Sequence, residues 1–377
     1  MKALAYNPNS AETSFLQLVD IAKPKLNKNN AIVKVLGVGI CGSDLLKLNQ
    51  GLIKPGAILG HEMVGVIDEI STETSSLYNL KQGDRIISSH HVPCLECDYC
   101  LRAQESLCTQ FKATNFNPGA FCEYLELSEG HLKHTVHKLP SHLSDEEASF
   151  TEPVACCIKA LQSGPFAQLL RYARPSLSSL TLKSTPAAQD SQALQLNKIT
   201  RTVTKQLVIG LGSIGLIIGQ LIKHYMPNAE LTGLDLIEGR LKLAQELGFD
   251  NAISSLSHPD TQSPSHLYDY IFLCAGSSAT IDLAIKHARN GATIVVFSSV
   301  ADATKAFTNN DIYYKELTVL GSYSPNLSNL KESLELISSG IIKVQKLITH
   351  HSNLENLGEN IKLCSANQGI KTYLSIK

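Results

Sequence analysis

Past residue 200 the chain alternates between short β-rich runs, at 206–209 and 230–234, and helix-length amphipathic segments, at 214–225 and 238–247. This alternation constrains the fold more than any other feature, because neighbouring parallel strands must be joined by a crossover, which a helix supplies. It predicts an α/β domain on a doubly wound parallel sheet. Further apolar runs at 270–274 and 292–297 end in small or polar residues, as strands do where such a sheet opens onto a ligand crevice.

Between the first strand and the first helix of this series stands Gly210-Leu211-Gly212-Ser213-Ile214-Gly215. GxGxxG alone is a weak signal, but a strand before it and a helix after it make it a dinucleotide-binding turn. Gly210 permits the tight turn, Gly212 lets the backbone approach a pyrophosphate, and Gly215 lets helix and strand pack closely, with the helix N-terminus facing the phosphate charge. Asp235 ends the next strand, where a carboxylate accepts hydrogen bonds from the adenine ribose and repels a 2′-phosphate. NAD is therefore expected rather than NADP. Arg240, near enough to meet a phosphate, reads as a solvated charge or an adenine neighbour.

With 377 residues the chain is too long for one ordinary core, so a second domain is expected. Residues 31–35, 63–67 and 85–87 read as short strands and Lys81-Gln82-Gly83-Asp84 as a turn, which describes an irregular β lobe. The tail holds a helical segment near 330–338 and strand-like pieces at 346–348 and 372–376. Residues 164–198, rich in Ser, Ala, Gln and Leu and holding Pro165, Pro175 and Pro186, break the pattern and read as an insertion.

The 33 basic and 34 acidic residues form no long run of one sign, which excludes the usual signature of a nucleic-acid or polybasic membrane binder. A small molecule is the expected partner. No stretch of about 18 residues is apolar enough to span a bilayer, and no charged segment at the N-terminus leads into a long apolar run. A cytoplasmic protein without membrane partners is expected.

Four of the ten cysteines, Cys94, Cys97, Cys100 and Cys108, crowd into one polar loop. Two-residue gaps let successive thiolates turn onto one ion, and four thiolates close a tetrahedral zinc shell with no position left for a substrate. An iron–sulfur cluster also takes four thiolates, but a structural zinc is the preferred reading. Cys41-Gly42-Ser43-Asp44 follows one strand and Gly60-His61-Glu62 leads into another, presenting further metal ligands from two strand ends.

Taken in order with Gly119-Ala120-Phe121-Cys122-Glu123-Tyr124 and Glu152-Pro153, these fragments resemble the zinc-dependent medium-chain alcohol dehydrogenase superfamily, in its sorbitol, threonine and polyol-phosphate dehydrogenase branch. The resemblance implies a mostly-β GroES-like catalytic domain over 1–155 and 321–377, and a Rossmann NAD-binding domain over 156–320 that carries the insertion. It implies one structural and one catalytic zinc per chain, the latter held by Cys41 and His61 with Glu152 or Glu62 as the carboxylate ligand. Asp44 is implied as the partner of the far nitrogen of His61, setting its tautomer, although an Asp there also reads as a turn cap. Ser43 is implied as the first proton carrier beside the reacting oxygen. The His that family members often carry three residues later is Leu46 here, so the proton must leave through water, a cofactor hydroxyl or another side chain.

The implied reaction moves a hydride between NAD and a secondary alcohol, such as a polyol or polyol phosphate, or its ketone. Residues 321–325 lack the Arg-Tyr pair of sorbitol dehydrogenases, which counts against sorbitol itself. The alternatives are a primary alcohol or aldehyde dehydrogenase on the same scaffold, and a non-catalytic NAD-binding sensor. A homodimer or homotetramer joined through the nucleotide-binding sheets is also implied. Cys274-Ala275-Gly276 and Phe297-Ser298-Ser299 are expected to flank the cofactor. His131, His134 and His137 read as a lobe exit, His90 and His91 as orienting local backbone or lining the cleft, and Cys156 and Cys157 as core.

Overall fold

The computed structural model describes residues 1–9, 15–167, 203–254, 267–299, 306–358, 361 and 369–376, and the chain divides into two units, Met1–Cys156 with Ser324–Lys377, and Cys157–Tyr323. Most of the predicted insertion, 168–198, lies outside the described residues. Of its first residues, Phe166 belongs to the core of the second unit: it is fully buried, with its ring edge-on to Tyr270 and Phe272.

The first unit is built on a sheet in the order Ile348–Asn353, Lys371–Ser375, Ala31–Gly39, Glu62–Ile70, Arg85–Ile87 and His137–Lys138, with Tyr124–Leu127 also pairing with Ala31–Gly39. All pairs are antiparallel except that of Ile348–Asn353 with Lys371–Ser375. Val33, Val35, Val38, Ile67, Ile86 and Leu125 bury their side chains in one core with Phe116 and Phe121. The piece expected as a strand at 346–348 is instead a 3₁₀ turn, Gln345–Leu347, that buries Leu347 before the strand Ile348–Asn353 begins.

The ladder register builds the site end of this sheet. Gly39 pairs with Glu62 on one side and with Tyr373 on the other. Cys41, His61 and Lys371, each within two residues of those positions, are thereby delivered to one end of three adjacent strands. Cys41 then caps the helix Gly42–Gln50: its sulfur accepts the Ser43 amide, and the Asp44 side chain reaches back to the cap backbone.

The second unit is a six-stranded parallel sheet in the order Asn251–Ser254, Glu230–Asp235, Lys205–Ile209, Tyr268–Leu273, Ala288–Val296 and Thr318–Gly321. In sequence rank this is 3-2-1-4-5-6, so the chain reverses direction between Lys205–Ile209 and Tyr268–Leu273, and such sheets bind ligands beside that point. Leu207, Ile209, Ile271, Leu273, Ile294 and Ala284 fill the core. Among the described residues no helix is long and apolar enough to cross a membrane.

Candidate metal and cofactor sites

Cys41, His61 and Glu62 offer a thiol sulfur, a ring nitrogen and a carboxylate oxygen that all lie within 4.8 Å of one another. A soft sulfur, an imidazole and a carboxylate gathered at this spacing form a donor set suited to a zinc ion with one open position. Asp44, 1% exposed, places Oδ1 3.4 Å from His61 Nδ1, and its Oδ2 accepts the Cys41 amide at 3.2 Å. Burial alone pulls His61 down, but the carboxylate of Asp44 and the neighbouring Cys41 outweigh it and hold the imidazole well above its usual range. The same ring keeps Asp44 below the usual carboxylate range despite its burial. Ser43 is exposed one position before Asp44.

The carboxylate of Glu62 forms a buried ion pair with Lys371; both residues are under a tenth exposed. Sequence reasoning missed this lysine, whose only signal is a cation opening an otherwise uncharged strand. Glu152 begins the helix Thr151–Leu161 and is 8% exposed. Burial raises its carboxyl above the usual range, His61 and Lys371 work against that, and Glu62 adds to it. It therefore shares the electrostatic surroundings of His61 and Glu62 without being one of the three clustered donors. Cys156, expected in the core, is only half-buried and donates its thiol to Glu152 Oε1 at 3.3 Å, while Cys157 is fully buried. The i, i+4 spacing of Glu152 and Cys156 is the sequence signal for that contact.

His90 stacks its ring 4.7 Å from that of His61 and 3.8 Å from that of His91. Burial and these neighbours push its imidazole well below the usual range. His91 fixes local backbone through Nδ1, 2.6 Å from the Thr114 carbonyl. His131 bonds Ser128 through one nitrogen and the His90 carbonyl through the other.

In the cysteine loop Cys94 Sγ lies 3.9 Å from that of Cys100 and 3.5 Å from that of Cys108, and Cys97 Sγ lies 3.6 Å from that of Cys100. Four sulfurs at about 2.3 Å from a tetrahedral zinc stand about 3.8 Å apart, so these thiols already form the edges of that shell. Burial and the Cys97 thiol push Cys100 up to about 12. At Cys108 the amides of Cys94 and Phe111 overcome burial and bring the thiol down to about 6, which favours a thiolate.

In the second unit Gly210 has φ +95°, and a Cβ there would stand 2.6 Å from that of Ala275. A Cβ on Gly215 would meet the Gly210 carbonyl oxygen at 2.0 Å, so the helix could not approach the strand. Gly212 precedes the helix Ser213–Tyr225 without a side-chain cap, and a Cβ on it would meet nothing within 4 Å. An open space before the uncapped amides that include those of Ser213 and Ile214 fits a pyrophosphate. Asp235 Oδ2 accepts the Leu211 amide at 2.7 Å, and its Oδ1 accepts the Ile237 amide at 2.9 Å. Arg240, expected as a solvated charge or an adenine neighbour, is largely buried with Nη1 3.7 Å from Asp235 Oδ2, which leaves the second of those readings. One carboxylate thus joins the glycine turn, the next strand end and the following helix.

Residues 27–141 match the alcohol dehydrogenase GroES-like domain family, and residues 213–339 match the zinc-binding dehydrogenase family. The D-arabitol-phosphate dehydrogenase of Enterococcus avium is 25% identical over 343 residues, covering 89% of this chain and 86% of that protein. The sorbitol dehydrogenase of Bombyx mori is 24% identical and covers 96% of both chains. In structure, the galactitol-1-phosphate dehydrogenase of Escherichia coli aligns over 100% of both chains with a TM-score of 0.76 at 22% identity.

Proposed function

Since the chain belongs to the zinc-dependent medium-chain alcohol dehydrogenase superfamily, in its polyol dehydrogenase branch, and is an NAD-linked oxidoreductase, we propose that it oxidises a secondary alcohol of a polyol or polyol phosphate, or reduces the corresponding ketone. The observation that carries this reading is the gathering of Cys41, His61 and Glu62 within 4.8 Å, supported from beneath by Asp44. When bound, zinc supplies Lewis acidity toward the substrate oxygen, and NAD accepts the hydride.

Cys41, His61 and Glu62 would hold the catalytic ion. Glu62 Oε2 faces Lys371, which leaves the other carboxylate oxygen for the metal. Asp44 Oδ1, 3.4 Å from His61 Nδ1, would hold that nitrogen and leave Nε2 for the ion. Ser43 takes the proton from the substrate hydroxyl and, being exposed, passes it to water. That arrangement accommodates Leu46, since no second side chain is required. Cys94, Cys97, Cys100 and Cys108 would hold the structural zinc.

Met1–Cys156 with Ser324–Lys377 serves as the catalytic domain, and Cys157–Tyr323 holds NAD. The Gly210–Gly215 turn, including Gly212 and Ile214, takes the pyrophosphate. Asp235 takes the adenine ribose, with Arg240 beside it. Homo-oligomeric assembly follows the family, and light scattering measures it. A cytoplasmic location accords with nine cysteines that are in thiol rather than disulfide form among the described residues.

The test is NADH formation against a panel of polyols, polyol phosphates, cyclitols, threonine and primary alcohols, with zinc counted on the same preparation. Turnover of secondary alcohols, lost in Cys41→Ser and His61→Ala while NAD binding persists, is the expected result. Preference for primary alcohols, or undiminished turnover in either variant, contradicts it.

A further inference from the structure

The site holds one carboxylate more than a zinc ion with an open position requires. Glu152 is buried where the charge of His61 reaches it, yet only Glu62 joins the Cys41–His61 donor group. Glu152 has no sequence feature that bars it from the ion, and it belongs to the same unit, in the first turn of the helix Thr151–Leu161. The contact that distinguishes it is one turn further along that helix, where the Cys156 thiol donates to Oε1 at 3.3 Å.

A hydrogen bond to a buried carboxylate counts for more than one at the surface, because no water replaces it when it breaks. An i, i+4 partner is also rigidly placed, since both side chains ride on one turn of backbone. Resting on the metal-centre reading above, we infer that Cys156 is a positioning residue: its thiol tethers the Glu152 carboxylate beside the metal centre and keeps it out of the coordination shell. Glu62, held on its other oxygen by Lys371, remains the carboxylate donor. The tether keeps one coordination position for the substrate. It also leaves Glu152 close enough to enter when that hydrogen bond opens.

The protein loaded with Co²⁺ in place of zinc tests this, because the d–d bands of four-coordinate Co²⁺ weaken when a fifth ligand joins. The catalytic-site contribution is the part of the spectrum that Cys41→Ser removes, which separates it from the cysteine loop. In that difference spectrum Cys156→Ala is expected to weaken and shift the bands. Cys156→Ser, which retains a donor, is expected to restore them, and Cys156→Ala placed on Glu152→Gln is expected to change nothing further. Bands unmoved by Cys156→Ala, or moved equally in the Glu152→Gln background, overturn the tether while leaving the metal centre intact. A spectrum that Cys41→Ser leaves wholly unchanged overturns the metal-centre reading and the tether together.

Discussion

The carboxylate of Asp44 touches both His61 and the residue that caps its own helix: Oδ1 is 3.4 Å from His61 Nδ1, and Oδ2 accepts the Cys41 amide at 3.2 Å. One side chain thus orients two of the three clustered donors, which lie 20 residues apart in the chain. Asp44→Ala should lower zinc affinity at this centre by about 10- to 100-fold. Competition with a chromophoric chelator measures it, and the zinc of the cysteine loop should be unaffected. Unchanged affinity at both sites would remove Asp44 from the metal centre.

The cysteine loop offers an independent test of the second ion. Cys94→Ser or Cys108→Ser should reduce zinc content by about one ion per chain and loosen a loop whose regular structure amounts to short helical turns such as Asp98–Leu101 and Glu105–Leu107. Metal analysis and limited proteolysis read the two effects. Retained zinc with unchanged proteolysis would rule the loop out as a metal site.

At the nucleotide turn, Asp235 accepts two backbone amides and lies beside Arg240. Asp235→Ser should raise the KM for NAD by about tenfold, roughly 1.4 kcal/mol. It should narrow the preference over NADP, because the carboxylate that repels a 2′-phosphate is gone while Arg240 remains. Initial rates with both cofactors decide this. An unchanged ratio would mean that the discrimination lies elsewhere.

Asp84 carries a pH dependence whose sign follows from its partners. Burial opposes its ionisation, but Lys138 Nζ at 2.8 Å and the Lys81 amide at 2.9 Å prevail and hold it below the usual carboxylate range. A folded-state value below the unfolded one contributes stability that is present above the unfolded value, about 4, and is lost as pH falls through the folded value. Asp84→Asn should therefore cost about 1–2 kcal/mol in urea unfolding at neutral pH, and the difference should shrink below about pH 4. A difference independent of pH would show that packing rather than charge is responsible.

Much of this was legible because it is local. Strand, glycine turn and helix at 205–225 announce themselves through spacing that covers a single supersecondary unit. The four cysteines are close enough along the chain that geometry leaves them little freedom. The sequence was less clear where burial decides which of two local readings holds. Cys156 sits in an apolar helix and reads as core, yet its face of the helix carries Glu152 as well. Arg240 reads as a solvated charge or an adenine neighbour, and only its burial beside Asp235 counts against the first.

The sequence by itself determined the alternating sheet, the glycine turn and the types of the candidate metal ligands, since each depends on periodicity or on spacing within a few residues. Only the tertiary structure decided which carboxylate stands among the donors and which cation accompanies it. Lys371 reaches Glu62 because Gly39 pairs with both Glu62 and Tyr373, a register set by core packing along the whole ladder. A one-residue slip would turn those side chains to the opposite face, so no local rule could have placed them.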